Sequence, residues 1–449
     1  MKYLKKLLLV LGATSSTTSL ASEFFPTFEA SASASLATHM LQIEINEHQV
    51  ISKTVKGFDI SGRQHTHGPA QVTFFPNSKS AELHLKFDLE SDSKMLATSN
   101  LRQGIEVQID TSAKTRLSTI KPFLFSPEKF TSIHVQCKAT TSLTVNSIRA
   151  SARGMTRLGR SIKSNVAIKK VAAAFEKSKP EQEEIISQET AKSACESINR
   201  RTDDFMADLQ ADFQQIIFDP LFEKNSLENN LRFWSSPNRI FATATTQSSG
   251  LSPAIHEYPP ESHDRDLSIL MHQEMLNQFA TLELGGRTFD EIDFQDLFRR
   301  SGINVEKSEQ TLVADVLILK FCPQKPVEYV FDSNQILVSV CASSLRLHGK
   351  DLGGATLSLN YTLHPTETGA LIIARSHDIT VNLDEGRNLS ESERDTITER
   401  YDRLFPWKSE IGPVSLPTRK NPQAGLWVTD AITSAGWLNI KMQLSTAVP

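Results

Sequence analysis

The ten residues from Ala81 to Glu90, AELHLKFDLE, alternate without a break. Ala81, Leu83, Leu85, Phe87 and Leu89 fall on one side, and Glu82, His84, Lys86, Asp88 and Glu90 on the other. Successive side chains of a strand point to opposite faces, so this is a strand with one wet and one dry face. The dry face must be covered, either by the protein's own core or by something bound. Residues Ala355 to His364, ATLSLNYTLH, repeat the pattern. There Ala355, Leu357, Leu359, Tyr361 and Leu363 oppose Thr356, Ser358, Asn360, Thr362 and His364.

Around these strands the chain has a readable order. Gln49 to Ala150 is strand-rich. From Lys163 to about Phe218 Ala, Glu, Lys and Gln dominate, and Pro180 is expected to divide this stretch into two helices. Ile198, Phe205, Leu209, Phe213 and Ile217 give the second an apolar stripe. In the second half, Leu267 to Leu284 reads as a helix with Met271, Met275, Phe279 and Leu282 on one face. Asp266 is its expected cap. Strands follow, and then a helix opened by a Ser390/Glu393 capping box, with Ile397, Tyr401 and Leu404 as its stripe. A proline-bearing connector and closing strands end the chain. Strands, helix, connector and closing strand thus occur twice, which suggests an internal duplication.

The expected fold class is α+β, with two β-rich modules, each a long curved antiparallel sheet packed on amphipathic helices. The expected boundaries are a signal peptide at 1–21, a strand-rich module at 22–250 with a helical region at 163–219, a linker at 251–265 and a second module at 266–449.

The signal peptide is read from Lys2, Lys5 and Lys6, the apolar run Leu7 to Ala13, and the small-residue site Ser19-Leu20-Ala21. It implies export to a periplasmic or extracellular location. No later run reaches the roughly 18 apolar residues a membrane-spanning helix needs. Taking three signal lysines from the 48 basic residues leaves 45 against 52 acidic ones, a net of −7. That balance opposes nucleic-acid binding.

Cys137, Cys195, Cys322 and Cys341 permit disulfides in an exported chain. Cys322 and Cys341 flank a turn-like Asp332–Asn334 and are the candidate pair; four cysteines allow three pairings.

Motifs that carry chemistry are lacking. G-x-S-x-G, HExxH, a phosphate-binding loop, a dinucleotide fingerprint and a calcium loop are all absent. His65-Thr66-His67 places two imidazoles on one strand face and with His84 or His134 could bind zinc, but the plainer reading is exposed histidines near the Gly68-Pro69 turn. His272-Gln273-Glu274 lacks the P-C-x-x-C partner of zinc deaminases. No catalytic residue, metal or cofactor is assigned, and the chain is read as a non-enzyme.

In its second half the order helix, long strands, helix, PVSLP (Val414 within it) and the closing GLWVTDAITSAGWLNIKM resembles the tubular lipid-binding superfamily, which includes bactericidal/permeability-increasing protein. That resemblance implies a curved sheet wrapped on a helix, with a groove for lipid acyl chains between them. Separately, DRDLSILMHQEMLNQFATLELGGRTF is similar to a segment of large exported bacterial proteins of unknown function. The expected function is therefore binding or transfer of a lipid or other apolar small molecule, without covalent chemistry. The ligand-lining candidates are Met271, Met275, Phe279, Leu282, Leu357, Leu359, Tyr361, Ile397, Tyr401, Leu83, Leu85 and Phe87. The alternative is a structural or interaction protein of the cell envelope with dry cores.

Overall fold

Alternation continues well beyond Glu90. In the computed structural model, Ala81–Leu101 and Ile105–Phe125 are both 21-residue strands, paired antiparallel from Ala81↔Phe125 to Leu101↔Ile105. The structure describes residues 28–40, 45–55, 58–101, 105–127, 129–152, 157–213, 229–246, 264–290, 292–293, 317–384, 389–404, 407–416 and 423–445. The expected signal peptide and most of the expected linker lie outside them.

Among the described residues there are 23 strands and four helices: α1 (Ala34–Met40), α2 (Arg157–Phe213), α3 (Gln273–Leu284) and α4 (Glu391–Leu404). The fold is mostly β, which corrects the α+β expectation. Strand residues outnumber helix residues about two to one, and α2 alone supplies 57 of the latter. One cause is visible at Leu267–His272. This run reads as the first turns of a helix but forms a strand, between Phe28–Ser33 on one side and Trp437–Ser445 on the other. Two ladders of pairing outweigh a weak local helix preference.

Contacts divide the chain into two units that are not successive halves: residues 1–36, 211–234 and 239–449 form one, and 37–210 with 235–238 the other. The first contains two sheets. One has seven strands, ordered Val414–Ser415, Gly425–Ser434, Trp437–Ser445, Leu267–His272, Phe28–Ser33, Arg239–Thr246 and Asn229–Ser235. Its two middle strands run directly into α3 and α1 respectively. Each is flanked by closing strands from its own half of the sequence. The element order strand, helix, sheet strands, helix, closing strands therefore occurs twice. Asp266 ties this junction together rather than capping a helix. Its buried carboxylate accepts from Ser33 Oγ at 2.6 Å, Ser35 Oγ at 3.1 Å, the Leu444 amide at 2.9 Å and Gln443.

The second sheet of this unit has nine strands around Gln335–Leu347 and Ala355–Pro365. Its inner face packs Leu319, Val340, Leu345, Leu357 and Leu359 against Ala280 of α3 and Ile397 and Tyr401 of α4. Ser390 and Glu393 do form the box that starts α4: the Glu393 amide donates to Ser390 Oγ at 3.3 Å and the Ser390 amide to the Glu393 carboxylate at 3.0 Å.

In the other unit the seven-stranded sheet built on Ala81–Leu101 and Ile105–Phe125 is covered by α2. Met95, Val107, Ile109 and Leu143 of the sheet bury with Phe175, and Val171 and Ile186 pack beside them. Pro180 does not divide the helix as expected. Side chains on both sides of it rest on the same sheet face, and that packing outweighs one lost backbone hydrogen bond. Ala81, Leu83, Leu85, Phe87 and Leu89 are all buried, so the dry face of AELHLKFDLE belongs to the protein interior.

That interior is not apolar throughout. One residue past Glu90 the inward positions become Ser91 and Ser93. Ser91 pairs with Thr66 and Thr115 on the neighbouring strands, and Thr115 with Thr141 on the next. All four are buried. Thr66 donates to Ser91 at 3.0 Å, Thr115 and Thr141 share a bond at 2.8 Å, and Ser187 of α2 donates to Thr141 at 2.8 Å. A belt of hydroxyls thus crosses four strands beneath α2. Beside it lies a polar cavity with room for about one water, lined in part by Glu47, Gln64, Thr66, Thr190 and Ser197. Farther along, Lys121 is fully buried and donates to Asn199 at 2.8 Å and Asp203 at 3.1 Å on α2. The Cys137–Cys195 disulfide fastens the same part of α2 to the segment before Lys138.

Candidate functional site

Helix α3 has apolar side chains on two sides. It starts where His272, in extended conformation, accepts through Nδ1 from the Glu274 amide at 3.3 Å, and Glu274 places negative charge in the first turn. It stops at Gly285, whose amide donates to Thr281 O at 3.0 Å. A side chain at Gly285 would run into the carbonyl oxygens of Thr281 and Pro323, so glycine is required there.

Gln273, Asn277, Ala280 and Leu284 follow i, i+4, i+7, i+11 spacing and face the nine-stranded sheet. Ala280 and Leu284 join its core. Gln273 and Asn277 serve the edge strand Val327–Asp332, which pairs with Gln335–Leu347 and, among the described residues, with no second strand. Gln273 Oε1 accepts from the Phe331 amide at 2.9 Å. Asn277 accepts from the Tyr329 amide at 2.6 Å and donates to the Tyr329 carbonyl at 3.2 Å.

Met275, Phe279 and Leu282 lie on the opposite side at i, i+4, i+7 spacing. Met275 packs with Ile269 and Met271 against Phe28, Ala30 and Ala244 of the seven-stranded sheet. Phe279 and Leu282 remain 41% and 39% exposed. Met271, expected on the helix, sits on the strand before it.

The other expected lining residues occupy different surroundings. Leu357, Leu359, Ile397 and Tyr401 are inside the packed core of the nine-stranded sheet, with Tyr361 partly buried against it. Leu83, Leu85 and Phe87 are interior residues of the other unit. Of the nine candidates in the first unit, Leu357, Leu359, Tyr361, Ile397 and Tyr401 thus lie in or against the packed core of the nine-stranded sheet. Phe279 and Leu282 stay partly exposed on the side of the helix that also carries Met275.

The polar end of the core lies around Tyr361. Burial pushes its phenol up to about 12, with Arg375 opposing and Tyr329 and Asp402 adding to the rise. Burial also raises Tyr329 and, further, Tyr401. The side chain of Arg375 is fully buried, donates to Asp402 of α4 at 2.5 Å and stacks 3.8 Å from the centre of the Trp407 ring. These contacts orient α4 on the sheet.

Among the histidines, His84 bonds to Glu82 at 2.7 Å and stacks on Phe75, and His134 bonds to Asp203 at 2.9 Å. Neither joins His65 and His67; His48, on the adjacent strand, does. That partner depends on strand register, which the sequence alone leaves open. His272 caps α3 and meets Trp437 edge to face. Cys322 is bonded to Cys341, next to the turn that ends α3. No described helix is long and apolar enough to cross a membrane.

No family model matches the chain, and no curated protein matches it. Among solved structures it is similar to a lipopolysaccharide binding protein, at 9% identity over 94% of this chain and 99% of that one, with a TM-score of 0.34. It is also similar to P47 of Clostridium botulinum E1, at 8% identity over 94% of this chain and 100% of that one, TM-score 0.23. P47 from Clostridium botulinum A2 matches at 9% identity over 93% and 97%, with the same TM-score of 0.23. These are distant likenesses between chains of comparable extent.

Proposed function

We propose that this protein, after export, binds a hydrophobic ligand of the lipid class against the outer face of α3, without covalent chemistry. The observation that carries the reading is the division of that helix into two faces. Its inner face is engaged by the edge strand and core, while Phe279 and Leu282 on the opposite side stay partly open. Fully burying a side chain such as Phe or Leu stabilises by roughly 1.5–3 kcal/mol, so covering the open part of these two offers about 1–2 kcal/mol. Methionine adapts to ligands of irregular shape, and Met275 lies on the same side of the helix, four residues before Phe279.

The test is saturable binding of an environment-sensitive fluorescent fatty acid by the full chain and by Phe279→Glu/Leu282→Glu. Both positions are exposed, so the variant should keep its fold, checked by circular dichroism. At least about tenfold weaker binding in the variant supports the reading, since tenfold corresponds to about 1.4 kcal/mol. Equal binding by both chains contradicts it.

A second reading is a structural or interaction protein of the cell envelope with no ligand. The close packing of Leu357, Leu359, Ile397 and Tyr401 and the polar hydroxyl belt under α2 favour it. Absence of any saturable probe binding would select it.

A further inference from the structure

The sheet under α2 has a second face, turned away from that helix, and three histidines stand together on it. Thr66 points inward to Ser91, so His65 and His67 on either side of it point outward. His48, on the neighbouring strand, is directly opposite His65. The His48 and His65 rings are 4.2 Å apart and nearly parallel, and His65 and His67 are 4.9 Å apart. The strand on the other side places Asp92 opposite His65 and Glu90 opposite His67. Asn46 Oδ1 lies 2.7 Å from His65 Nε2. His67 Nδ1 is shut off from water and has no hydrogen-bond partner among the described residues.

Three unlike features coincide here. Directly opposed residues on paired strands have Cβ atoms about 4.5–5.5 Å apart, and residues two apart on one strand are about 7 Å apart. That triangle is small enough for three imidazoles to reach one ion at about 2.0–2.1 Å. A hydrogen-bonding side chain, Asn46, already holds one ring, as outer partners of metal-bound histidines do. A carboxylate, Asp92, lies one strand further on.

We propose that His48, His65 and His67 bind one first-row divalent transition metal ion of the zinc class, with Asp92 in reach as an oxygen ligand. Imidazole nitrogens select such ions over magnesium or calcium, which favour all-oxygen sites. As the side chains stand, no group of three or more His, Cys, Asp or Glu among the described residues is placed to hold a metal ion, so binding requires the stacked rings to turn. The backbone pairing fixes the triangle, and the rings turn about the outer side-chain torsion, which for histidine is broad and has no staggered wells.

The experiment is titration of the full chain with zinc in competition with a chromophoric chelator, repeated with cobalt to read its visible absorption. One ion per chain is expected in the wild type, with each single His→Gln change at 48, 65 or 67 weakening it at least about tenfold. The triple variant should lose the site, while His84→Gln/His134→Gln should retain it. A thermal shift on adding zinc to the wild type, missing in a triple variant of normal metal-free melting temperature, separates lost ligands from lost fold. Equal uptake by wild type and triple variant, or no saturable uptake by the wild type, overturns the proposal.

Discussion

Asn277 of α3 uses both ends of its side-chain amide on the backbone of one residue, Tyr329, accepting from its N–H at 2.6 Å and donating to its C=O at 3.2 Å. A helix side chain thereby stands in for a missing neighbouring strand on an edge that would otherwise be open to pairing. Asn277→Leu should destabilise the protein by about 1–3 kcal/mol in urea unfolding, because two backbone groups lose their partners. Asn277→Asp keeps the acceptor and loses the donor, so an intermediate loss is expected.

Lys121 is buried to 0% exposure and its charge is met by Asp203, itself 37% exposed. Burial works to raise the Asp203 carboxyl, but hydrogen bonds from Ser132, Lys121 and His134 outweigh it and leave the group lowered. Asp203→Ala strands a buried ammonium and should cost about 2–4 kcal/mol, less than a fully enclosed pair because water reaches the aspartate. Lys121→Met removes the charge with its penalty and should be much milder. Equal losses for the two variants would show that the charge is not what matters.

Glu393 is held at about 2, below its ordinary 4.5, by the Lys350 ammonium and then by the backbone and hydroxyl of Ser390. A depressed carboxyl adds stability above its unfolded value, and that contribution fades as pH falls from about 4.5 towards about 2. Glu393→Gln should therefore lower the melting temperature at pH 6 and differ progressively less from wild type as pH approaches 2. Ser390→Ala, which removes the helix cap, should cost about 1 kcal/mol at neutral pH.

Tyr329, Tyr361 and Tyr401 are all raised by burial, Tyr361 to about 12. Their stabilising effect is complete below pH 10, the ordinary phenol value, and for Tyr361 is lost as pH rises from there through about 12. An ultraviolet titration should show these three of the chain's five tyrosines resisting ionisation until the protein unfolds. Ionisation of all five near pH 10 in the folded protein would contradict the burial of that cluster.

Alternation made the long strands and their dry faces readable from the sequence, and the Ser390/Glu393 spacing made the start of α4 readable too. Leu267–His272 reads as helix in the sequence because the partners that make it a strand, Phe28–Ser33 and Trp437–Ser445, lie more than a hundred residues away in the chain. Local pattern has no access to such partners. The same limit hid the role of Asp266, the hydroxyl belt and the company that His48 keeps with His65. Periodicity correctly placed Met275, Phe279 and Leu282 on one side of a helix. It gave no sign that Asn277 and Ala280, on the other side, are the ones that meet the core.

The measurement that bears most directly on ligand binding is native mass spectrometry of the purified protein, with organic extraction of what it carries. A lipid released at a fixed stoichiometry, and missing from Phe279→Glu/Leu282→Glu, is the expected result. A bare polypeptide mass that stays bare after incubation with membrane lipids would contradict it.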